Sequence, residues 1–493
     1  MSYASLKFIF FVLLLCFIYY VFPKKKRYIV LLIGSIFFYC LFSGKYIIFI
    51  LLSSIITYLS GIFIEKYSKH KKKILVGSIL LNLLFLLVLK YNNFFAEMIN
   101  PLLGLVKLEI PYKKFILPIG ISYYTLEAIS YVVDIYRGRS KSENNYLKVL
   151  LYLIYFPQIV EGPIANYSRI SKTLFNEEKF NYEKFVSSWV LIAWGFFKKL
   201  VIADRAGMFV SEVFKNNYTG LFLVIAIVLY TLQIYADFSG CIDIVRGTSE
   251  LFGVELDENF RRPFFSRSIQ EFWRRWHITL GTWLKEYIFF PISLSKVNMK
   301  LNVSLRKMKN KYISRFIITA FPLFFVWFFN GMWHGASFKY IVYGLYYYVL
   351  MMIGILLEPI SKKILNIFKI KTDVWSYKFF QAIRTILIVC FGMFIFRIDS
   401  LSQISLLFKS TTSNVKLFSL GLSALDFCVL GMGVLVLLVV GTMQEFNINI
   451  RKELENQNLL FKWLVYYILI FVIIIFGIYG RGYSAASFIY GGF

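Results

Sequence analysis

The chain has 493 residues, 58% of them hydrophobic and 20% aromatic, with a mean hydropathy of +0.65. That apolar share exceeds the roughly 45–50% of ordinary soluble domains, which excludes a cytosolic globular protein and predicts a multipass membrane protein. The formal net charge of +28 does not call for nucleic acid, because the basic residues are spread over loops between apolar runs, where topology and attraction to anionic membrane lipid, about 1 kcal/mol per basic residue, account for them.

Apolar runs near the ~20 residues that cross a ~30 Å hydrocarbon core as helix recur along the chain. Clear ones cover 6–22, 28–43, 46–64, 74–89, 185–202, 221–236, 341–357, 427–443 and 463–479; less clean ones, broken by Pro, Gly or charge, cover 116–136, 149–164, 316–329 and 382–396. The first run has one lysine before it and no small-residue cleavage site before Lys24-Lys25-Lys26-Arg27, so it reads as a retained helix and not a removed signal peptide. The basic loops 24–27 and 66–73 fall on one side, which the positive-inside rule makes cytoplasmic, with the N-terminus outside. No polar stretch is long enough to form a soluble domain, and no internal repeat is visible. A single integral-membrane domain over 1–493 is expected, with a central polar region at about 237–340.

Within that region, residues 257–315 carry thirteen basic against four acidic side chains. From Ser268 to Ile288 the apolar residues, Phe272, Trp273, Trp276, Leu280, Trp283 and Leu284 among them, recur at three and four, which predicts an amphipathic helix dipping into the protein body. The five cysteines mostly lie inside apolar runs without paired spacing, which argues against a disulfide framework or a zinc site. Only three histidines exist: His70 in a lysine-rich loop, His277 and His334. The last two stand in tryptophan-rich and arginine-rich surroundings. Histidine is the usual proton-transfer group near neutrality, and an ionisable residue at membrane depth is functional by default.

The block Arg262-Pro-Phe-Phe-Ser-Arg-Ser-Ile-Gln-Glu-Phe-Trp-Arg-Arg-Trp-His277-Ile-Thr-Leu, with Asp237-Phe-Ser-Gly240 before it and Met332-Trp-His334-Gly-Ala336 after it, resembles the membrane-bound O-acyltransferase family, and within it the bacterial alginate O-acetyltransferase branch. Pro118-Ile-Gly-Ile-Ser122, Ser130-Tyr-Val-Val-Asp-Ile-Tyr-Arg-Gly138, Gly162-Pro163 and Ser487-Phe-Ile-Tyr490 extend the resemblance over nearly the whole chain. Two departures, Glu127 where branch members carry glutamine and Pro291-Ile-Ser-Leu-Ser295 where they carry a glycine-rich turn, leave the polymer open. A sister branch, which supplies D-alanine to teichoic acids, shares the histidine block but has alanine in place of Ser239.

The resemblance implies an all-α multipass fold: a ring of tilted helices around a thinned centre, with re-entrant and interfacial helices and funnels from both faces. It implies an O-acetyltransferase that takes acetyl from cytosolic acetyl-CoA, without a metal. The acetyl would pass outward to a cell-surface or secreted polysaccharide, directly or through an extracytoplasmic Ser-His-Asp esterase-like (SGNH) partner, at the bacterial cytoplasmic membrane. By motif His334 is the catalytic histidine and His277 the second site residue.

The residues themselves fit that chemistry. A hydroxyl attacking a thioester must lose its proton, and a neutral imidazole in an apolar cavity accepts it, because burial disfavours the charged ring. Asn330, one helical turn before His334, offers an amide to orient the ring or to bind the thioester oxygen. Trp333 and Trp276 adjoin the two histidines as supporting residues; tryptophans here serve as packing anchors or line an acyl tunnel. Arg274 and Arg275 either meet the phosphates of CoA or anchor the chain at the cytoplasmic face. Asp237 and Asp243 either form scaffold ion pairs with Arg246 or Arg262 or take a direct role. A polymer or lipid transporter is the non-enzymatic alternative, without an inverted repeat to support it; a glycosyltransferase would require an acidic cluster that the sequence lacks.

Overall fold

The computed structural model describes residues 3–113, 115–305, 307–412, 417 and 420–479; the terminal motif at 487–490 lies outside them. Among the described residues every regular element is helical. In chain order these are α1 (Leu6–Val21), α2 (Arg27–Ser43), α3 (Ile47–Lys66), α4 (Lys71–Leu103), α5 (Ile121–Tyr136), α6 (Tyr146–Ile154), α7 (Tyr167–Leu174), α8 (Tyr182–Phe196), α9 (Asp204–Lys215) and α10 (Leu221–Glu250). The short helices α11 (Ile269–Arg275), α12 (Ile278–Leu284), α13 (Phe290–Ser293) and α14 (Lys296–Leu305) follow, then α15 (Lys311–His334), α16 (Phe338–Ile367), α17 (Trp375–Arg397), α18 (Ala424–Glu445), α19 (Ile450–Glu455) and α20 (Leu459–Phe476). Nine helical runs among the described residues are long and apolar enough to cross a membrane. Polar caps mark where several begin: Ser5, Asn145, Asn181, Ser268, Asn310, Ser423 and Asn458 each accept a backbone N–H of the first turn, satisfying donors that have no partner inside the helix.

Four stretches depart from the expectations. The apolar run 149–164 is helical only to Ile154, because Pro157 and Pro163 cannot donate to a helical ladder and Gln158 instead bonds to the Tyr152 carbonyl and Glu127. The run ending at 236 continues as helix through Asp237 to Glu250. The run 316–329, interrupted by Pro322, lies inside one continuous helix, α15. The periodic stretch 268–288 is not one helix: it breaks at Trp276–His277, where the backbone turns through extended and then left-handed conformation.

By contacts the chain forms two compact units, each discontinuous in sequence. The first comprises Met1–Ala206, Gln233–Glu258 and Leu422–Phe493. In it α3 packs on α4, α5 and α6, and α2 on α6, around an aromatic core in which Tyr3 stacks on Phe38 at 5.6 Å and donates to the Phe156 carbonyl at 2.7 Å. α8 runs into a wider π turn over Phe197–Ala203 whose outer face meets α18 and α20.

The second unit comprises Gly207–Leu232 and Asn259–Gly421. Its centre is the hairpin of α15 and α16, with α17 against α16. Gly331 makes the hairpin close: a β-carbon there would run into the Tyr340 carbonyl oxygen. α15 ends one turn later at His334, beside the return into α16.

Candidate active site

His334 is the last residue of α15 and 2% exposed. Its ring is packed edge-on by Trp333, Tyr343 and Phe396, with centroids 5.0, 5.7 and 5.3 Å away. His277, also 2% exposed, meets the same Trp333 indole at 5.3 Å. Two histidines 57 positions apart in sequence are therefore brought to one ring in an aromatic enclosure. Trp333 contacts both.

Burial pushes the His277 imidazole down to about 3. Removing a charged ring from water is unfavourable, so His277 is neutral from mildly acidic pH upward. Its backbone is left-handed, with φ 47° and ψ 51°, a conformation that costs a residue carrying a β-carbon about 1–2 kcal/mol and that concentrates at functional positions.

Asn330 lies one turn before His334, buried, and among the described residues its Oδ1 accepts no hydrogen bond. A buried amide oxygen without a donor costs about 1–3 kcal/mol. Trp276 is buried, stacked on Phe272 at 5.3 Å and edge-on to Phe260 at 5.1 Å, a packing position. Trp273 packs against Trp327 and Tyr347 at 5.0 and 4.8 Å.

The two arginines part ways. Arg274 is exposed, whereas Arg275 is half-buried and pairs with Glu271 at 2.6 Å. His70 is exposed at the start of α4. Asp237 belongs to the other unit, where it is 2% exposed and pairs with Lys199 at 2.6 Å; Lys199 also pairs with Asp204 at 2.9 Å. Lys198 pairs with Asp243 at 2.7 Å and donates to Ser239 at 3.0 Å. The ion-pair partners of Asp237 and Asp243 are thus lysines of the π turn, which the sequence reading, with its choice of Arg246 or Arg262, did not name; Arg246 reaches Glu258 at 3.8 Å. The signal was present as two lysines inside the apolar run 185–202. Among the described residues no group of three or more His, Cys, Asp or Glu side chains is arranged to hold a metal ion.

The model of the membrane-bound O-acyltransferase family matches residues 138–305, which include His277. The chain is 30% identical over 391 residues to "Probable alginate O-acetylase AlgI" of Pseudomonas syringae pv. tomato, covering 78% of this chain and 70% of that one. It is 30% identical over 346 residues to a peptidoglycan O-acetyltransferase of Helicobacter pylori, covering 64% and 62%, and 27% identical over 312 residues to a teichoic acid D-alanyltransferase of Bacillus subtilis, covering 61% and 74%. With its apolar helices and this breadth of similarity, the chain belongs to the membrane-bound O-acyltransferase family and is a multipass membrane O-acyltransferase.

Proposed function

We propose that the protein takes an acetyl group from cytosolic acetyl-CoA and delivers it toward the extracellular side for O-acetylation of a cell-surface or secreted polysaccharide, with an extracytoplasmic esterase-like partner completing transfer. The observation that carries this reading is the convergence of buried His277 and His334 on Trp333, in a chain similar to acetyl-transferring relatives. The exposed basic stretch 68–73 and Lys24–Lys26 argue for a cytoplasmic face there and an external N-terminus, in the bacterial cytoplasmic membrane.

In this reading His334 is the general base. Its imidazole removes the proton of an acceptor hydroxyl as the oxygen attacks the thioester carbonyl carbon; the tetrahedral intermediate then expels the CoA sulfur, which takes that proton from the imidazolium. His277, neutral by burial, lies against Trp333 beside the reacting groups, and the Asn330 amide orients His334 or the thioester. Arg274, exposed, is the arginine available to CoA phosphates; Arg275 is engaged by Glu271.

The test is turnover of labelled acetyl-CoA by purified protein with its partner. His334→Ala is expected to lower it by about 10²–10⁴-fold with the fold retained, and equal turnover in both proteins contradicts the assignment. Similarity to teichoic acid D-alanyltransferases supports a second reading, D-alanyl transfer. Turnover of a D-alanyl thioester carrier in place of acetyl-CoA would establish it.

A further inference from the structure

An N-cap residue ordinarily has extended backbone and turns its own side chain onto the N–H of the second or third helical residue. His277 stands at the N-cap of α12, yet it is left-handed and its side chain makes no capping bond. The cap comes from elsewhere in the chain. Asn259, fully buried, accepts both the Thr279 N–H at 2.9 Å and the Thr279 hydroxyl at 2.8 Å on its Oδ1. Its backbone carbonyl accepts the Ile278 N–H at 3.0 Å. On the other side of His277, the Arg261 N–H donates to the Arg275 carbonyl at 2.9 Å, and Phe260 bridges Trp276 in antiparallel fashion with their rings 5.1 Å apart. The stretch from Asn259 to Arg261 therefore grips the backbone before and after His277.

The two halves of this grip do different things. The Phe260–Trp276 pairing ends α11 by holding Trp276 extended, since a residue committed to a bridge cannot continue the helical ladder. The Asn259 contacts start α12 again two residues later by satisfying its first N–H groups. What lies between is one residue whose conformation both halves dictate and whose side chain makes no capping bond.

We propose that Asn259 is a positioning residue for His277: a surrogate cap that relieves the imidazole of capping α12 and so lets it face Trp333 and the reacting groups. This rests on the reading of His277 as a site residue. A side chain whose only task was to stabilise α12 would affect folded protein and leave turnover per folded molecule alone. A positioning residue changes the rate through His277, because misplacement of a reacting-centre group by ångströms is enough to slow the chemical step.

The test is a double-mutant cycle on turnover of labelled acetyl-CoA, normalised to monodisperse protein in detergent. Asn259→Ala is expected to lower kcat by about tenfold to a hundredfold with KM for acetyl-CoA unchanged, and to cost nothing further in a His277→Ala background. If Asn259→Ala does not yield folded protein, Thr279→Val removes one of the two bonds to Oδ1 and is expected to lower kcat in the same His277-dependent way. An equal loss with and without His277, or full turnover in a His277-dependent enzyme lacking the Asn259 side chain or the Thr279 hydroxyl, overturns the positioning role alone. Full turnover of His277→Ala by itself overturns the underlying reading of the site, and the positioning role with it.

Discussion

Two regions of this membrane protein bury titratable side chains, and they do it in opposite ways. In the first unit Lys198 and Lys199 face Asp243, Asp237 and Asp204 across 2.6–2.9 Å. In the second, His334 is enclosed by Trp333, Tyr343 and Phe396, and His277 packs against the same Trp333. Lysine at membrane depth requires a counter-ion, so pairing there is a condition of folding. Imidazole is stable as a neutral ring, and burial holds His277 uncharged. Under the proposed function the difference separates scaffold from chemistry: buried charge balanced by opposite charge holds helices, whereas the buried titratable rings are those assigned to reaction.

The local backbone repeats the contrast. The lysines sit on a π turn, where the wider helix brings consecutive side chains toward the same face, and Gly195 lets the α10 backbone approach at Gly240. π turns of this kind are frequent at functional sites; here the turn serves the ion pairs that join α8 to α10. His277 instead occupies a left-handed break between two short helices, a conformation that serves no ladder and is held by flanking contacts.

Breaking the scaffold should have the largest effect on stability. Lys199→Met removes the cation between two buried carboxylates and is expected to cost about 3–5 kcal/mol, measured by thermal or denaturant unfolding in mild detergent, while turnover per folded molecule is retained. Retained stability would mean the cluster is not the scaffold element the comparison makes it. Gly331→Ala adds a β-carbon against the Tyr340 carbonyl. Such overpacking costs about 1–3 kcal/mol, and because His334 lies one turn on, turnover per folded molecule should fall as well, a coupling that Lys199→Met should lack.

The smallest effect is a pH dependence. His277 is held at about 3 in the folded protein against an ordinary value of about 6.5, so the folded state binds fewer protons than the unfolded state between those values. Its contribution is present above pH 6.5 and is lost as pH falls toward 3, by roughly 2 kcal/mol at pH 5. His277→Gln should flatten the slope of stability against pH between 5 and 7 by that amount, and an unchanged slope would mean the ring is not held neutral by burial.

Much of the fold was legible because membrane helices are written in composition: the apolar runs from 28 to 64 became α2 and α3 almost to the residue. The misses fall where local pattern competes with tertiary pairing. The period of 268–288 is helical throughout, yet the bridge from Phe260 to Trp276 and the bonds from Asn259 stop the helix at His277, and no window of sequence around His277 contains those partners. The run 149–164 is apolar because it is buried, not because it crosses as helix; Pro157 and Pro163 were the visible warning. His277, His334 and Asn330 were singled out from motif and residue chemistry, and the structure buries all three. The lysine partners of Asp237 and Asp243 were hidden inside an apolar run, where two charges should have been read as a demand for counter-ions.

The most direct measurement is labelled acetyl-CoA turnover per folded molecule, with the partner present, in His334→Ala beside Lys199→Met. The account predicts a well-folded His334→Ala protein with turnover reduced about 10²–10⁴-fold, and a Lys199→Met protein that is less stable yet active where folded. The opposite pattern, an active His334→Ala and a stable but inactive Lys199→Met, would contradict it by moving the chemistry to the ion-paired cluster.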